Sequence, residues 1–223
     1  MMGNTHLCLG VAAGAVAVAV TGTSDDVATV SGIMLVSSLG ALLPDIDEEG
    51  SILNNLLFKV IDRKFRSFAL ALGGAVVVLL SLFRDLESWI ILSGIFAMAV
   101  AFVPHRNFTH SLISLAFVTW ITYLANPLYT WAMVLGYISH LAGDACTYRG
   151  IPLFWPYKKN IGLRSLGIYV RAGDETDKKT GLISMYSGCF LLLVLLFQDI
   201  SFELFMTTTT ERIDAVKSFF GMG

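Results

Sequence analysis

Apolar residues along the chain gather into seven runs, each ended by a short polar break. They extend from Leu7 to Thr21, Val27 to Leu43, Phe68 to Phe83, Ser88 to Val103, Ser111 to Ala125, Leu128 to Gly143 and Leu182 to Phe197. Most runs fall short of the ~20 residues that cross a ~30 Å hydrocarbon core, so flanking residues must extend the helices or the bilayer must thin locally. The pattern predicts an all-α polytopic membrane helix bundle of about five to seven transmembrane segments. It divides into a membrane bundle over 1–143, a loop over 144–181 able to cover a site, and a last transmembrane helix and tail over 182–223. Gly10 and Gly14 in the first run, and Gly73 and Gly74 in the third, are expected to let helix backbones approach closely.

Composition agrees: 55% of the 223 residues are hydrophobic and 14% charged, with a mean hydropathy of +0.70, which excludes an ordinary soluble domain. Met1 to His6 carries no Lys or Arg, so no cleaved signal peptide is expected. Seven crossings place alternate loops on opposite sides. One side then collects Lys59, Arg63, Lys64, Arg66, Arg106, Arg149, Lys158, Lys159, Arg164, Arg171, Lys178 and Lys179, and the other only Arg84, Arg212 and Lys217. The positive-inside rule makes the first side cytoplasmic. Cys8, Cys146 and Cys189 have neither CxxC spacing nor an even count, and are expected to be buried, silent thiols.

All four histidines fall in polar motifs at the ends of apolar runs, and the same topology gathers them on that basic side. Imidazoles and carboxylates at membrane-segment ends point to a metal site. His140 and Asp144, four residues apart, share one helix face and can grip one cation. His105 and His110 are five apart, so one belongs in a turn and the other in the first helical turn, with Asn107 or Thr109 as N-cap. Arg106 between them, beside unpaired helix N–H groups, suits an anion. Asp45 and Asp47 close the second run after Pro44, where the negative end of the helix dipole calls for a cation. His6 opens the first run.

Within the 144–181 loop, Phe154 to Lys159 mixes aromatics with cations, as interfacial anchors against anionic headgroups do. Leu163 to Val170 alternates in a strand-like way and predicts a short hairpin. The tail from Thr207 to Gly223 reads as a mobile or amphipathic terminus without chemistry of its own.

Asn4-Thr5-His6, Leu43-Pro44-Asp45-Ile46-Asp47, His105-Arg106-Asn107-Phe108-Thr109-His110-Ser111 and His140-Leu141-Ala142-Gly143-Asp144 through Gly150 resemble, in this order, the motifs of the bacterial YdjM-like family. That family comprises inner-membrane proteins classed as metal-dependent hydrolases, one of them LexA-regulated. The resemblance covers roughly residues 1–160, and implies a multi-helix bacterial inner-membrane protein whose motifs build a metal-dependent hydrolase site. The His/Asp pattern is also similar in ligand style to zinc-dependent phospholipase C and P1-type nucleases.

Together with the residues, the resemblance implies a hydrolase of ester or phosphoester bonds at the cytoplasmic face, with a phospholipid or lipid-linked phosphate favoured by the site's location and by analogy. His6, Asp45, His110, His140 and Asp144 are the candidate ligands of one or two divalent ions; zinc suits them best, and manganese or iron is compatible. Asp47 or His105 would act as general base or orient the ligands, and Arg106 would clamp a phosphate. Membrane lipids are the expected partners, and nothing indicates nucleic acid. Two other classes compete. A transporter would place its ionisable groups near the midplane, and a scaffold with a structural metal would close the coordination shell.

Overall fold

The computed structural model describes residues 1–103, 107–157, 159–167 and 169–219. Among them are eight α-helices: α1 (Gly3–Thr21), α2 (Val27–Leu42), α3 (Ile52–Leu57), α4 (Arg63–Arg84), α5 (Ser88–Phe102), α6 (Leu112–Ala125), α7 (Thr130–Ala145) and α8 (Glu175–Phe219). Each of the seven apolar runs is a helix, and α3 is a short addition in the loop after α2. The chain is a helical membrane bundle.

Among the described residues, four segments are long and apolar enough to cross a membrane: Gly3–Thr21, Val27–Asp45, Arg63–Arg84 and Glu175–Gln198. The 15-residue α5 and 14-residue α6 are apolar but shorter; at 1.5 Å per residue they measure only about 21–23 Å. Local chemistry sets the ends. Gly22, in the left-handed region at φ 62°, stops α1. The Asp26 carboxylate accepts from the N–H groups of Ala28 and Thr29 to start α2. Ser111, rather than Asn107 or Thr109, caps α6 by accepting from Ser114 N–H at 3.3 Å. Asn107 instead precedes a 3-10 turn over Phe108–His110, and Thr109 lies within it.

Helices α1, α2 and α7 pack on one another at the centre; α8 lies on α1, α6 on α7, and α4 pairs with α5. Small residues make this approach possible. A Cβ on Gly136 of α7 would stand 2.1 Å from the Ser37 carbonyl oxygen of α2, and one on Gly10 would stand 2.6 Å from Ala41 Cβ. Ser37 Oγ donates to the Gly10 carbonyl at 2.9 Å, tying α1 to α2 with a bond that satisfies a buried hydroxyl. Of the Gly73–Gly74 pair only Gly74 serves packing, against Gly94 of α5; Gly73 faces open space.

The loop between α7 and α8 differs from the expectation. The strand-like 163–170 segment forms no hairpin of its own among the described residues: Leu163–Leu166 is a 3-10 turn. Its surroundings pair back toward the end of α7 through single bridges, Thr147 with Val170 and Ile151 with Ile161. The tail is helical through Phe219, because α8 continues to that residue. No Gly or Pro interrupts the chain between Gly188 and that residue, so nothing local ends the helix. The loop between α7 and α8 is therefore 146–174, shorter than the predicted 144–181.

Candidate metal centre

Four polar motifs meet at one end of the bundle because the helices that carry them alternate in direction. His6 lies in the first turn of α1, and Asp45 ends the 3-10 turn that prolongs α2. His110 sits just before α6, and His140 and Asp144 lie in the last turns of α7. The His6, His110, His140 and Asp144 side chains are at most 1% exposed, while Asp45 is 17% exposed.

Four donor atoms converge. His110 Nε2 lies 3.2 Å from His140 Nε2, 3.5 Å from Asp45 Oδ1 and 3.4 Å from Asp144 Oδ2. His140 Nε2 lies 3.6 Å from Asp45 Oδ1 and 4.0 Å from Asp144 Oδ2. Ligands bound tetrahedrally at 2.0–2.1 Å stand about 3.3–3.4 Å apart, so these separations fit a small divalent ion held by two imidazoles and two carboxylates. His6 stacks on His140 with ring centroids 3.7 Å apart, and its Nε2 lies 3.2 Å from the other Asp144 oxygen. Two donor groups result, His6 with His140 and Asp144, and Asp45 with His110 and His140; the second Asp144 oxygen also approaches His110. The Met1 amino group also reaches Asp144 Oδ1.

The surroundings fix the rings. His140 Nδ1 donates to the Ala41 carbonyl at 2.7 Å, which selects the tautomer with an Nε2 lone pair directed at the centre. Thr109 Oγ1 meets His110 Nδ1 at 3.1 Å, and the Tyr137 hydroxyl holds the turn by donating to the Thr109 carbonyl while bonded to Ser114 Oγ. Burial alone would push the His110 imidazole below its ordinary pKa, but hydrogen bonds to Asp144 and Asp45 outweigh it and hold the value above. With its imidazoles neutral, the pocket sets the Asp45 and Asp144 carboxylates against the single positive charge of the Met1 amino group, leaving net negative charge that favours a cation.

Arg66, at 7% exposure, positions the Asp45 loop. Its guanidinium donates to the carbonyls of Ile61 and Glu49 and to the side-chain oxygens of Asn54 and Asn55, at 2.6–3.1 Å. Asn54 Nδ2 then donates to the Ile46 carbonyl at 2.9 Å, next to Asp45. The sequence reading counted Arg66 only as a topogenic charge; nothing local distinguishes it from its neighbours Arg63 and Lys64.

All five predicted ligand residues are brought together. Asp47 is half-buried in the turn beyond Asp45 and belongs to neither donor group. His105 and Arg106 lie outside the described residues. The cysteines are free, but none is fully buried, and Cys189 is exposed on α8 within the span Glu175–Gln198. A thiol that behaves as a small hydrophobe is stable on a lipid-facing surface as well as in a core.

Residues 1–204 match the family described as YdjM inner membrane protein. The chain belongs to that family. Inner membrane protein YdjM of Escherichia coli K12 is 42% identical over 60 residues, 23% of this chain and 30% of the relative, and the Shigella flexneri protein of that name matches equally. Uncharacterized protein YvsG of Bacillus subtilis is 30% identical over 93 residues, 41% of this chain and 56% of the relative. The match thus spans about a third of the YdjM relatives and just over half of YvsG. No solved structure matches. The converging His/Asp groups of this YdjM-family chain all lie within the matched region.

Proposed function

We propose that this YdjM-family protein is a membrane-embedded metal-dependent hydrolase acting on an ester or phosphoester, with zinc as the favoured ion. One observation carries the reading. The buried donor cage is open on one side, where Asp45 lines a cavity of about 430 Å³ shared with Asn4, Glu48 and Ser51. Catalytic metal sites keep such an open position, whereas structural ones close.

His110, His140, Asp45 and Asp144 would hold the ion, with His6 completing a second subsite on Asp144. When bound, the ion would lower the pKa of a water and polarise the bond under attack. The chain's own residues do the rest. The Ala41 carbonyl and Thr109 orient the imidazoles, and the packed helix ends leave the His6, His110, His140 and Asp144 side chains at most 1% exposed. Asp47 or His105 would accept the proton, and Arg106 would hold a phosphate oxygen. A substrate carrying a lipid is favoured because a shallow membrane site meets lipids first. The 12-to-3 basic asymmetry supports a cytoplasmic face.

Elemental analysis of detergent-purified protein tests the ion, and cobalt substitution tests the open position. We expect about one or two ions per chain and a visible cobalt spectrum that changes when azide is added. Metal-free protein refutes the reading, and an azide-insensitive spectrum reduces it to a structural metal.

A further inference from the structure

Arg149 borders three cavities at once. It lines the 430 Å³ cavity that reaches Asp45. It also lines one of about 580 Å³ with Tyr148, Val170 and Arg171, and one of about 490 Å³ with Asn160, Lys159 and Arg164. No carboxylate lines either of the last two among the described residues. Arg149, Arg171 and Lys159 are exposed and make no ion pair among the described residues, while the Arg164 guanidinium lies 3.7 Å from the centroid of the Tyr148 ring. Arg149 is therefore the cation that joins the cavity of the centre, where Asp45 and Glu48 supply negative charge, to two neighbouring cavities lined by Arg171, Lys159 and Arg164.

The placement is built into the backbone. Arg149 follows Asp144 by five residues, and bonds on both sides fix the intervening chain. Val170 N–H donates to the Cys146 carbonyl at 2.9 Å, and Ile151 and Ile161 exchange bonds of 3.0 and 2.8 Å. Gly150 has φ 64°, and a Cβ there would stand 2.6 Å from the Ile161 carbonyl oxygen, so only glycine admits this turn. The backbone that carries Arg149 is thereby tied to the last turn of α7, which also carries Asp144.

We propose that Arg149, with Arg171 beside it, is an anion-recognition element of the centre additional to Arg106 and binds a phosphate group of the substrate at the cavity mouth. The proposal rests on the hydrolase reading and names its substrate class as phosphate-bearing. Arg149 offers a planar fork that fits two phosphate oxygens, and Arg171 and Lys159 add positive charge from the two neighbouring cavities, which no carboxylate lines among the described residues.

The test is isothermal titration of the full-length, metal-loaded protein in an uncharged detergent, with inorganic phosphate and dihexanoyl phosphatidic acid as probes. Wild type is expected to bind saturably. Arg149→Gln should weaken binding about ten-fold or more, because charge-assisted bonds to phosphate are the strong kind. Arg149→Lys should recover part of the loss, Arg171→Gln should show a smaller one, and Arg84→Gln, at the far end of α4, none. Much tighter binding of the lipid than of phosphate assigns the anion to a lipid headgroup; equal binding assigns it to phosphate itself. No saturable binding of either probe, or an Arg149→Gln variant that binds like wild type, overturns the proposal. Metal content measured on the same samples separates the two failures. Metal-free protein that still binds phosphate through Arg149 loses the hydrolase reading alone, whereas metal-loaded protein indifferent to Arg149 loses only the anion site.

Discussion

His140→Ala removes the one imidazole common to both donor groups. Structural zinc sites with four ligands bind with roughly 10–16 kcal/mol, so an average ligand contributes about 3 kcal/mol and its loss weakens affinity by about two orders of magnitude. Free metal at about 1,000 times Kd stabilises the wild type by about 4 kcal/mol, and the same concentration is only about 10 times Kd for the variant, worth about 1.4 kcal/mol. The metal-induced rise in Tm should therefore be smaller by roughly 5–10 °C for a chain of this length. Comparing the shift with and without metal within each variant cancels the separate cost of leaving the Ala41 carbonyl unpaired, about 1–3 kcal/mol. The assay is thermal unfolding in detergent beside a chelator-competition titration. An unchanged Kd together with a wild-type metal shift would falsify the convergence of the four donors on an ion.

Three further outcomes are expected. Gly136→Ala should destabilise the bundle by about 3 kcal/mol in denaturant titration, since its Cβ would meet the Ser37 carbonyl at 2.1 Å, while Gly73→Ala, with nothing within 4 Å, should be near neutral; equal effects would contradict the α2–α7 contact. Arg66→Met should strip the Asn54 and Asn55 side-chain oxygens of their donor and lower metal affinity by about ten-fold, with loss of helix content small by circular dichroism; unchanged metal affinity would show that the Asp45 loop holds itself. Reporters fused within 44–67 and 144–181 should read cytoplasm and one near Asp26 the opposite side, and a periplasmic result at either large loop would reverse the assigned orientation.

The relation between His140 and Ala41 shows where sequence reasoning stops. Both lie in apolar runs whose helical state follows from hydrophobicity, yet the hydrogen bond that fixes the imidazole spans 99 residues and depends on how closely α2 and α7 approach. That approach is permitted by Gly136, whose role is visible only once Ser37 is seen opposite it.

What the sequence determined by itself was local or periodic. The seven apolar runs become helices because a backbone in lipid must satisfy its own polar groups, and the alternation of direction then forces the Asn4-Thr5-His6, Asp45, His110 and His140–Asp144 motifs to one end. The i,i+4 spacing of His140 and Asp144 needed only the pitch of α7. Tertiary structure alone decided which atoms meet: His6 stacked on His140, Asp45 left as the exposed ligand beside a cavity, and Asp47 placed in neither donor group. It also chose Ser111 as the α6 cap, turned 163–166 into a 3-10 segment, and put Arg149 at the junction of three cavities. These outcomes rest on contacts between residues far apart in the chain, whose energies are set by the fit of helix surfaces and leave no periodic trace in the sequence.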